Sequence, residues 1–426
     1  MFFQPEIETM PREELRELQL ERMRESLRNA YENVPLYRER FDAAGVTPDD
    51  LTSLEDIAKF PFVVKQDMRD NYPFGMFARE NADVARIHAS SGTTGQATVV
   101  GHTANDLANW GDCFARGIAM VGGDENSTIQ VSYGYGLFTG GLGAHAGGEA
   151  MGCTVIPTSS GNTKRQVQML KDCKTDILAC TPSYALLIAD TAIEMGYDPA
   201  TEFQISGGIF GAEPCSENMR QEIADKLGIQ YCDVYGLSEI MGPGVAMECA
   251  ERGGLHIAED QFYCEIIDPE TLEVLPDGEV GELVITTLTR ECSPMIRYRT
   301  RDLTRILPGK CPCGRTHLRI DRIKGRSDDM FIIKGVNIFP GQIDEVLKDV
   351  EGASSEYQVM IDHLNGRDIM TLFFETDSMA DAKAIELNLQ NHFKAKVGIT
   401  IVPHAVAIGE LPRSEKKSTR IFDNRY

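Results

Sequence analysis

The sequence lacks any uninterrupted apolar run long enough to cross a bilayer. It also lacks a basic start leading into an apolar stretch: MFFQPEIETMPREELRELQLERM turns polar and helical at once, so no signal peptide is expected. Positive charge is scarce, with 42 Lys+Arg against 65 Asp+Glu and a formal net charge of −23. A chain this acidic is repelled by nucleic-acid phosphates and by anionic lipid, so neither nucleic acid nor membrane is an expected partner. Any phosphate-bearing ligand must then be gathered locally, by backbone N–H groups, a metal or a few placed cations. Internal repeats and low-complexity segments are missing too. The eleven cysteines are an odd number, spread from Cys113 to Cys313, and a chain of 426 residues needs no disulfide staples. A reducing cytoplasm with mostly buried thiols is the expectation. What is present, 42% hydrophobic and 25% charged residues, fits a soluble globular protein of two or three domains.

Residues 12–33 read as a helix, interrupted at Pro35 and resumed over 36–43. Thr52 and Ser53 offer another helix start, and the helical texture continues from Lys65. From about residue 84, short apolar runs (STIQVSYG, CTVIPT, DILACTP, ISGGIFGAEP, QYCDVYG) alternate with helical segments. That alternation predicts βαβ units and a largely parallel sheet. Residues 260–307 read as hairpins turning at Pro269-Glu270 and Pro276-Asp277-Gly278, with FYCEIID, TLEVL and GELVITTL as strands. Beyond residue 325, a helix over 342–350, two strand-like runs and a helix over 379–396 predict a small α+β domain of roughly 100 residues. The expected division is an N-terminal domain over 1–327 and a C-terminal domain over 328–426, with Asp328 as the hinge. The expected fold class is α/β, with mixed or parallel sheets, helices and a β-hairpin-rich part in the large N-terminal domain and a small mobile α+β C-terminal domain.

The sharpest local signal is Ser90-Ser91-Gly92-Thr93-Thr94-Gly95. Its glycines let the backbone approach a ligand, and hydroxyls with successive N–H groups suit phosphate oxygens. It is not the G-x-x-x-x-G-K-[ST] loop, because no lysine follows Gly95. On this hexapeptide alone, a plain polar turn serves equally well. Five further pieces follow in order: Gly211-Ala212-Glu213-Pro214, Asp233-Val234-Tyr235-Gly236-Leu237-Ser238-Glu239, Tyr298-Arg299-Thr300-Arg301-Asp302, Gly325-Arg326-Ser327-Asp328-Asp329, and Leu411-Pro412-Arg413-Ser414-Glu415-Lys416-Lys417. Each is weak alone; the ordered set is hard to attribute to chance.

With SSGTTG, SYGYGLFTGGLGAH, VYGLSEIMGPGV and LPRSEKKSTRIF, the chain resembles the phenylacetate–coenzyme A ligase family of the adenylate-forming superfamily, from KFPFVVKQDMRDNYPFG to the end. The resemblance implies activation of a carboxylic acid by ATP to an acyl-adenylate and pyrophosphate, then acyl transfer to the thiol of coenzyme A. It also implies a small C-terminal domain that rotates between the half-reactions. By it, the loop Ser90–Gly95 holds the β- and γ-phosphates, and Glu239 binds Mg2+, a hard cation suited to a carboxylate beside phosphates. Asp302 matches the ribose-binding aspartate, and Arg326 adds a contact to ribose or α-phosphate. Gly211, Ala212 and Glu213 lie along the adenine, with Asp233 and Tyr235 on its other side and Gly236 and Ser238 in the same motif. Lys417 matches the lysine that reaches the α-phosphate and acyl carboxylate. The family has glycine just before that lysine, whereas here Lys416 stands there. The bland readings are a helix-start glutamate, core turns, ion pairs for Asp302 and Arg326, and a solvated tail lysine. For Lys65 a solvated helix lysine is the default, and a phosphate cation the alternative.

The acid pocket is expected at Tyr135 and Phe138 with Ile209, Ala212, Ile240 and Pro243, an apolar slot for a ring in which some members must simply be core. Phenylacetate or a similar aryl acid is what the resemblance implies. Cys311-Pro-Cys313-Gly is a tight two-thiol hairpin, and Cys249 with His256 gives a C-x6-H pair upstream. Three sulfurs and one imidazole would complete a structural zinc site, against the reading of unmetallated buried thiols; Cys264 and Cys292 stand outside it. A homodimer is implied by the resemblance. The alternatives in function are an adenylating enzyme that loads a carrier-protein thiol, and a non-catalytic nucleotide-binding homologue.

Overall fold

The computed structural model describes residues 1–90, 97–213, 215–327, 331–333, 336–338, 340–364, 367–412 and 420–424. The chain forms two compact units, one of Met1–Thr181, Ala185–Ala212 and Ile223–Arg322, the other of Pro182–Tyr184, Glu213–Glu222 and Ile323–Tyr426. Asp328, the expected hinge, lies outside the described residues.

In the first unit the helix Arg12–Asn33 buries Leu15, Met23, Leu27 and Ala30 along one stripe, and Pro35–Ala44 adds Tyr37 and Phe41. Proline at the first turn of the second helix sets where the first one stops. The centre is a nine-stranded sheet in the order Ile306–Leu307, Arg319–Ile320, Leu255–Ile257, Gly242–Glu248, Gln230–Leu237, Gly207–Gly211, Ile177–Cys180, Thr128–Val131 and Thr154–Ile156. The junctions from Gln230–Leu237 outward to Thr154–Ile156 are parallel. The junctions on the other side are antiparallel, so the sheet is mixed rather than largely parallel. Connection length decides this: residues 238–241 are too few for a crossover helix, so the chain turns back as a hairpin.

One helix pair shows how closely the sheet is covered. Ala104–Met120 begins at Thr103, whose Oγ1 accepts from Asp106 N at 3.1 Å while Asp106 accepts from Thr103 N at 2.9 Å. It presents Trp110 and Phe114 to the glycine-rich helix Thr139–Met151. A Cβ on Gly143 would stand 2.4 Å from the Trp110 ring, and one on Gly147 2.5 Å from Phe114. The glycines therefore permit an approach that alanine would block.

A second antiparallel layer joins Phe262–Ile267 to Gly281–Thr287 and that strand to Tyr298–Thr304. The expected strand TLEVL reduces to one bridge, Ile267 to Val274. The second unit holds a four-stranded sheet, Val402–Ala407, Arg367–Thr376, Tyr357–Leu364 and Ile421–Asp423, antiparallel at its middle and parallel at both outer junctions. Helices Pro340–Lys348 and Ala382–Val397 bury Ile343, Leu347, Leu389 and Phe393 in the core that also takes Val359, Leu372 and Phe374. Among the described residues, no helix is long and apolar enough to cross a membrane.

Candidate active site

The segments that carry the motifs leave the carboxyl ends of parallel strands. Residues 132–138 follow Thr128–Val131, Ala212 follows Gly207–Gly211, and Glu239 follows Gln230–Leu237. Ligands of open α/β sheets bind at that end.

Ser90, the first residue of the phosphate-loop motif, ends one arm of a hairpin. Arg86–Ala89 pairs antiparallel with Val99–His102, and Ser90 N donates to Thr98 O at 3.0 Å to extend the ladder. Ser91, Gly92, Thr93, Thr94 and Gly95 lie outside the described residues, as does Lys417. Ser90 Oγ and Thr98 Oγ1 are hydrogen-bonded, and Thr98 Oγ1 donates to Glu239 Oε1 at 3.4 Å. Glu239 is 5% exposed, and Lys65 Nζ stands 2.8 Å from its Oε1. Lys65, though its side chain is 41% exposed, is thus ion-paired to a buried carboxylate rather than a plain solvated helix lysine. Its backbone explains the placement: it opens the helix Lys65–Asp70 two residues after Val63, which exchanges hydrogen bonds with the Arg297–Arg299 segment, N to Arg297 O at 3.1 Å and O from Arg299 N at 2.9 Å. Thr98, just past the loop, is a further residue that the motif reading missed.

On the strand Tyr298–Thr304, Asp302 accepts the hydroxyl of Tyr235 at 2.6 Å and its N–H donates to Thr300 Oγ1 at 3.0 Å. Burial pushes the Tyr235 hydroxyl well above its usual range, and the Asp302 carboxylate raises it further. The hydroxyl therefore stays a donor, and one Asp302 oxygen is fixed by it. Asp233 N donates to Glu248 Oε2 at 3.4 Å. Gly236 has no room for a side chain, since a Cβ there would lie 1.8 Å from Gly242 O. Ser238 Oγ is 3.1 Å from Thr139 Oγ1, which ties this turn to the helix after Phe138. Gly211 is buried at its strand end, and Ala212 is exposed with φ of 73°, a left-handed backbone unusual for alanine. Glu213 and Arg326 belong to the second unit. There Glu213 accepts from Ser183 N at 2.6 Å, and burial raises its carboxyl; Arg326 is half-buried on the short strand Gly325–Arg326.

The expected acid slot divides in two. Ile209 and Ile240 are fully buried core. Tyr135 and Pro243 are half-buried, and Phe138 is 49% exposed. Tyr135 Oη lies 3.2 Å from His145 Nδ1, and burial, with Glu149 adding, pushes its hydroxyl up to about 12. At neutral pH it can donate to a carboxylate.

Apart from this region, Cys249, His256, Cys311 and Cys313 come together, with one ligand atom from each within 4.8 Å of the others. Cys249 Sγ is 3.6 Å from Cys311 Sγ, and Cys313 Sγ is 3.4 Å from His256 Nε2. Tetrahedral zinc with sulfur ligands at about 2.3 Å sets edges of about 3.5–3.8 Å, so this donor set fits that ion. His256 Nδ1 donates to His317 O at 3.3 Å, leaving Nε2 free for a metal. The hydrogen bond from Cys249 holds the Cys313 sulfur far below the usual thiol range, with His256 adding, and the same bond pushes Cys249 up. Cys264 and Cys292 lie outside this cluster.

Ser90 at the end of one hairpin arm, the buried Glu239 linked to it through Thr98, and Tyr235 of the mixed sheet bonded to Asp302 of the second sheet lie in a chain of the AMP-binding enzyme class. The family described as AMP-binding enzyme matches residues 27–289, and the AMP-binding enzyme C-terminal domain matches residues 335–425. The chain is 51% identical to the phenylacetate-coenzyme A ligase of Pseudomonas putida over 98% of this chain and 96% of that one. It is 50% identical to the enzyme of that name from Escherichia coli strain K12, over 98% and 97%. A crystal structure of 2-hydroxyisobutyryl-CoA ligase, in the postadenylation state with R3-HIB-AMP, superposes with a TM-score of 0.91 at 29% identity, covering 99% of this chain and 92% of that chain. The chain belongs to the phenylacetate–coenzyme A ligase family of AMP-binding enzymes.

Proposed function

We propose that this protein is an ATP-dependent ligase joining phenylacetate or a similar aryl acid to coenzyme A through an acyl-adenylate. The acid carboxylate attacks the α-phosphorus of ATP and pyrophosphate leaves. The coenzyme A thiol then attacks the acyl carbon, and AMP leaves with the electrons of the broken acyl–phosphate bond. The observation that carries the reading is Glu239, buried behind the phosphate hairpin and joined to it through Thr98. The near-full-length relatives named for this reaction support it.

Each residue has a place in that chemistry. The segment from Ser90 to Gly95 binds the β- and γ-phosphates, and Asp302, held by Tyr235, accepts from the ribose hydroxyls. Gly211, Ala212, Glu213, Asp233 and Tyr235 enclose the adenine, and Arg326 serves ribose or α-phosphate. Glu239 holds Mg2+, which when bound would neutralise phosphate charge. Lys65, which holds Glu239 in the free protein, turns to the phosphates once the carboxylate takes the metal. Lys417 serves the α-phosphate and carboxylate during adenylation, and Asp328 is the hinge of the mobile C-terminal domain over 328–426. Tyr135, Phe138, Ala212 and Pro243 receive the ring, with Ile209 and Ile240 behind them. Cys249, His256, Cys311 and Cys313 hold a structural zinc that ties the Cys311–Cys313 hairpin to the Cys249–His256 stretch without an open position for catalysis. We place the enzyme in a reducing cytoplasm on its eleven cysteines, none of them in a disulfide, and as a homodimer on the family resemblance.

The test mixes acid, ATP, magnesium and enzyme. Pyrophosphate and AMP-ester should form without coenzyme A, and thioester only once it is added. Thioester formation with a carrier protein but not with coenzyme A would overturn the assignment. A substrate series over phenylacetate, hydroxyphenylacetate, indoleacetate, benzoate and short fatty acids identifies the acid.

A further inference from the structure

Directly behind the acid slot lies a buried cluster to which no role has been given. His88 and His102 project from the two arms of the phosphate hairpin, and each has no exposed surface. Their rings are 5.4 Å apart and perpendicular. His102 stacks on Trp110 at 5.3 Å and 19°, and His88 meets the same indole edge-on at 5.5 Å. Trp110 is the only tryptophan of the chain. Arg290, also buried, completes the group.

Three of these side chains each hold a main-chain carbonyl of the acid-binding segments. His88 Nδ1 donates to Leu137 O at 3.1 Å, beside Phe138. Trp110 Nε1 donates to Pro243 O at 2.8 Å. Arg290 donates to Ile240 O and, at 2.8 Å, to Gly101 O on the hairpin arm. The indole also packs where Cβ atoms on Gly143 and Gly242 would stand, at 2.4 and 2.3 Å, so it is wedged between the two segments. A hydrophobic core needs none of this polarity. His88 Nε2, both nitrogens of His102 and Arg290 Nε have no hydrogen-bond partner among the described residues. Keeping such groups in a core is costly unless geometry depends on them.

We propose that His88, Trp110 and Arg290, stacked through His102, are positioning residues that fix the depth of the acid slot relative to the phosphate hairpin. The inference rests on the ligase reading above. Attack on the α-phosphorus requires the carboxylate within near-attack distance of a phosphate held by the hairpin. One rigid stack touches both parts, so its thickness sets that distance. Burial lowers both imidazoles below their ordinary value, and the Arg290 and Arg86 charges lower His102 further. Facing charged and titratable groups are Arg86 on the hairpin, Arg290, and Asp106 and Cys292 around Arg290. The imidazoles are therefore uncharged at neutral pH, and His88 carries its proton on Nδ1 to serve the Leu137 carbonyl.

The half-reactions separate this role from plain packing. Once the adenylate exists, acid and phosphate are covalently joined and their spacing no longer depends on the stack. In His88→Phe and Trp110→Phe, pyrophosphate release at saturating acid and ATP should fall about 30-fold with KM values within about twofold. Thioester formation from supplied phenylacetyl-adenylate and coenzyme A should stay within about twofold of wild type, and His88→Asn, which restores a donor, should recover most of the first rate. Equal losses in both half-reactions, or an unchanged first one, would overturn the proposal. Wild-type enzyme supplies a second measurement that needs no variant: Trp110 emission should change when acid and ATP form the adenylate, and constant emission during measured pyrophosphate release refutes the coupling. Wild type that releases no pyrophosphate with any acid instead sinks the ligase reading itself.

Discussion

Replacing Lys65 by methionine tests the cation that this acidic protein pairs with the buried Glu239. In the free protein Lys65 Nζ sits 2.8 Å from Glu239 Oε1, with the lysine side chain 41% and the glutamate 7% exposed. Water screens the lysine end, so the pair contributes about 1 kcal/mol net rather than the full attraction of two buried charges. Losing it leaves Glu239 with the Thr98 hydroxyl at 3.4 Å. For a chain of this size, about 1 kcal/mol lowers the melting temperature by roughly 2 °C. Nucleotide binding feels two opposed effects. Glu239 is released from its ion pair, which favours metal by about 1 kcal/mol, while ATP loses a charged hydrogen-bond donor worth about 1.5–3 kcal/mol. The balance predicts Mg·ATP binding weaker by about 3- to 30-fold, with the affinity for phenylacetate unchanged. Equilibrium titration of ATP and of the acid, each with magnesium, reads both. ATP binding as tight as wild type or tighter means that Lys65 only masks Glu239 and never reaches phosphate, and the reasoning fails.

Tyr235→Phe removes the donor to Asp302 at 2.6 Å and should weaken ATP by about 1–2 kcal/mol without altering acid affinity; calorimetric titration with unchanged ATP affinity would refute the ribose assignment. Protein purified without added metal should carry about one zinc per chain, and Cys311→Ser should lose it and several kcal/mol of stability in urea melts; well under half a zinc in undamaged protein sinks the site. His88, His102 and His317 all have values lowered first by burial. The unfolded chain therefore takes up protons that the folded one refuses, so their contribution is complete above about pH 6.5 and is lost as pH falls below it. Urea stability equal at pH 7.5 and 5.5 contradicts this. Moderate salt should quicken ATP association, because the net field of the chain repels the nucleotide; stopped-flow rates that fall instead show local positive charge in control.

The order of elements was legible because hydrophobic period and turn residues are local signals. The proline opening at Pro35 and the strands around 128–131, 177–180 and 207–211 stand on such signals. The family was legible for a related reason: its motifs keep a fixed order along the chain, and relatives matching nearly the whole chain carry the same name. What stayed hidden depends on contacts between distant segments. Lys65 reads as a surface lysine until the bonds of Val63 to Arg297 and Arg299 aim its helix at Glu239, 174 positions along the chain. His88, His102 and Arg290 carry no spacing signal, since the hairpin and a loop near residue 290 bring them together only in the fold. The antiparallel half of the main sheet hangs on one short connection, a boundary detail finer than hydrophobic patterning resolves.

The charge that seems to exclude polyanions from this protein is offset by how its few cations are distributed. Several arginines are committed to buried carboxylates: Arg297 to Glu265 at 2.8 Å, Arg299 to Glu282 at 2.7 Å, Arg315 to Glu8 at 2.6 Å, and Arg116 to Asp260. These pairs are neutral at a distance and attract no nucleotide. Arg290 differs, because its guanidinium binds the carbonyls of Ile240 and Gly101 and makes no ion pair among the described residues. Its charge, offset in part by nearby Asp106, sits beside the turn that carries Glu239 and the hairpin arm Val99–His102. Low dielectric surroundings carry that field further than solvent would. Lys65 adds a second cation that is neutralised only until its glutamate finds a metal. The arginines committed to buried carboxylates are thus cancelled where they stand, while Arg290 and, once its glutamate is engaged elsewhere, Lys65 leave positive charge beside Glu239.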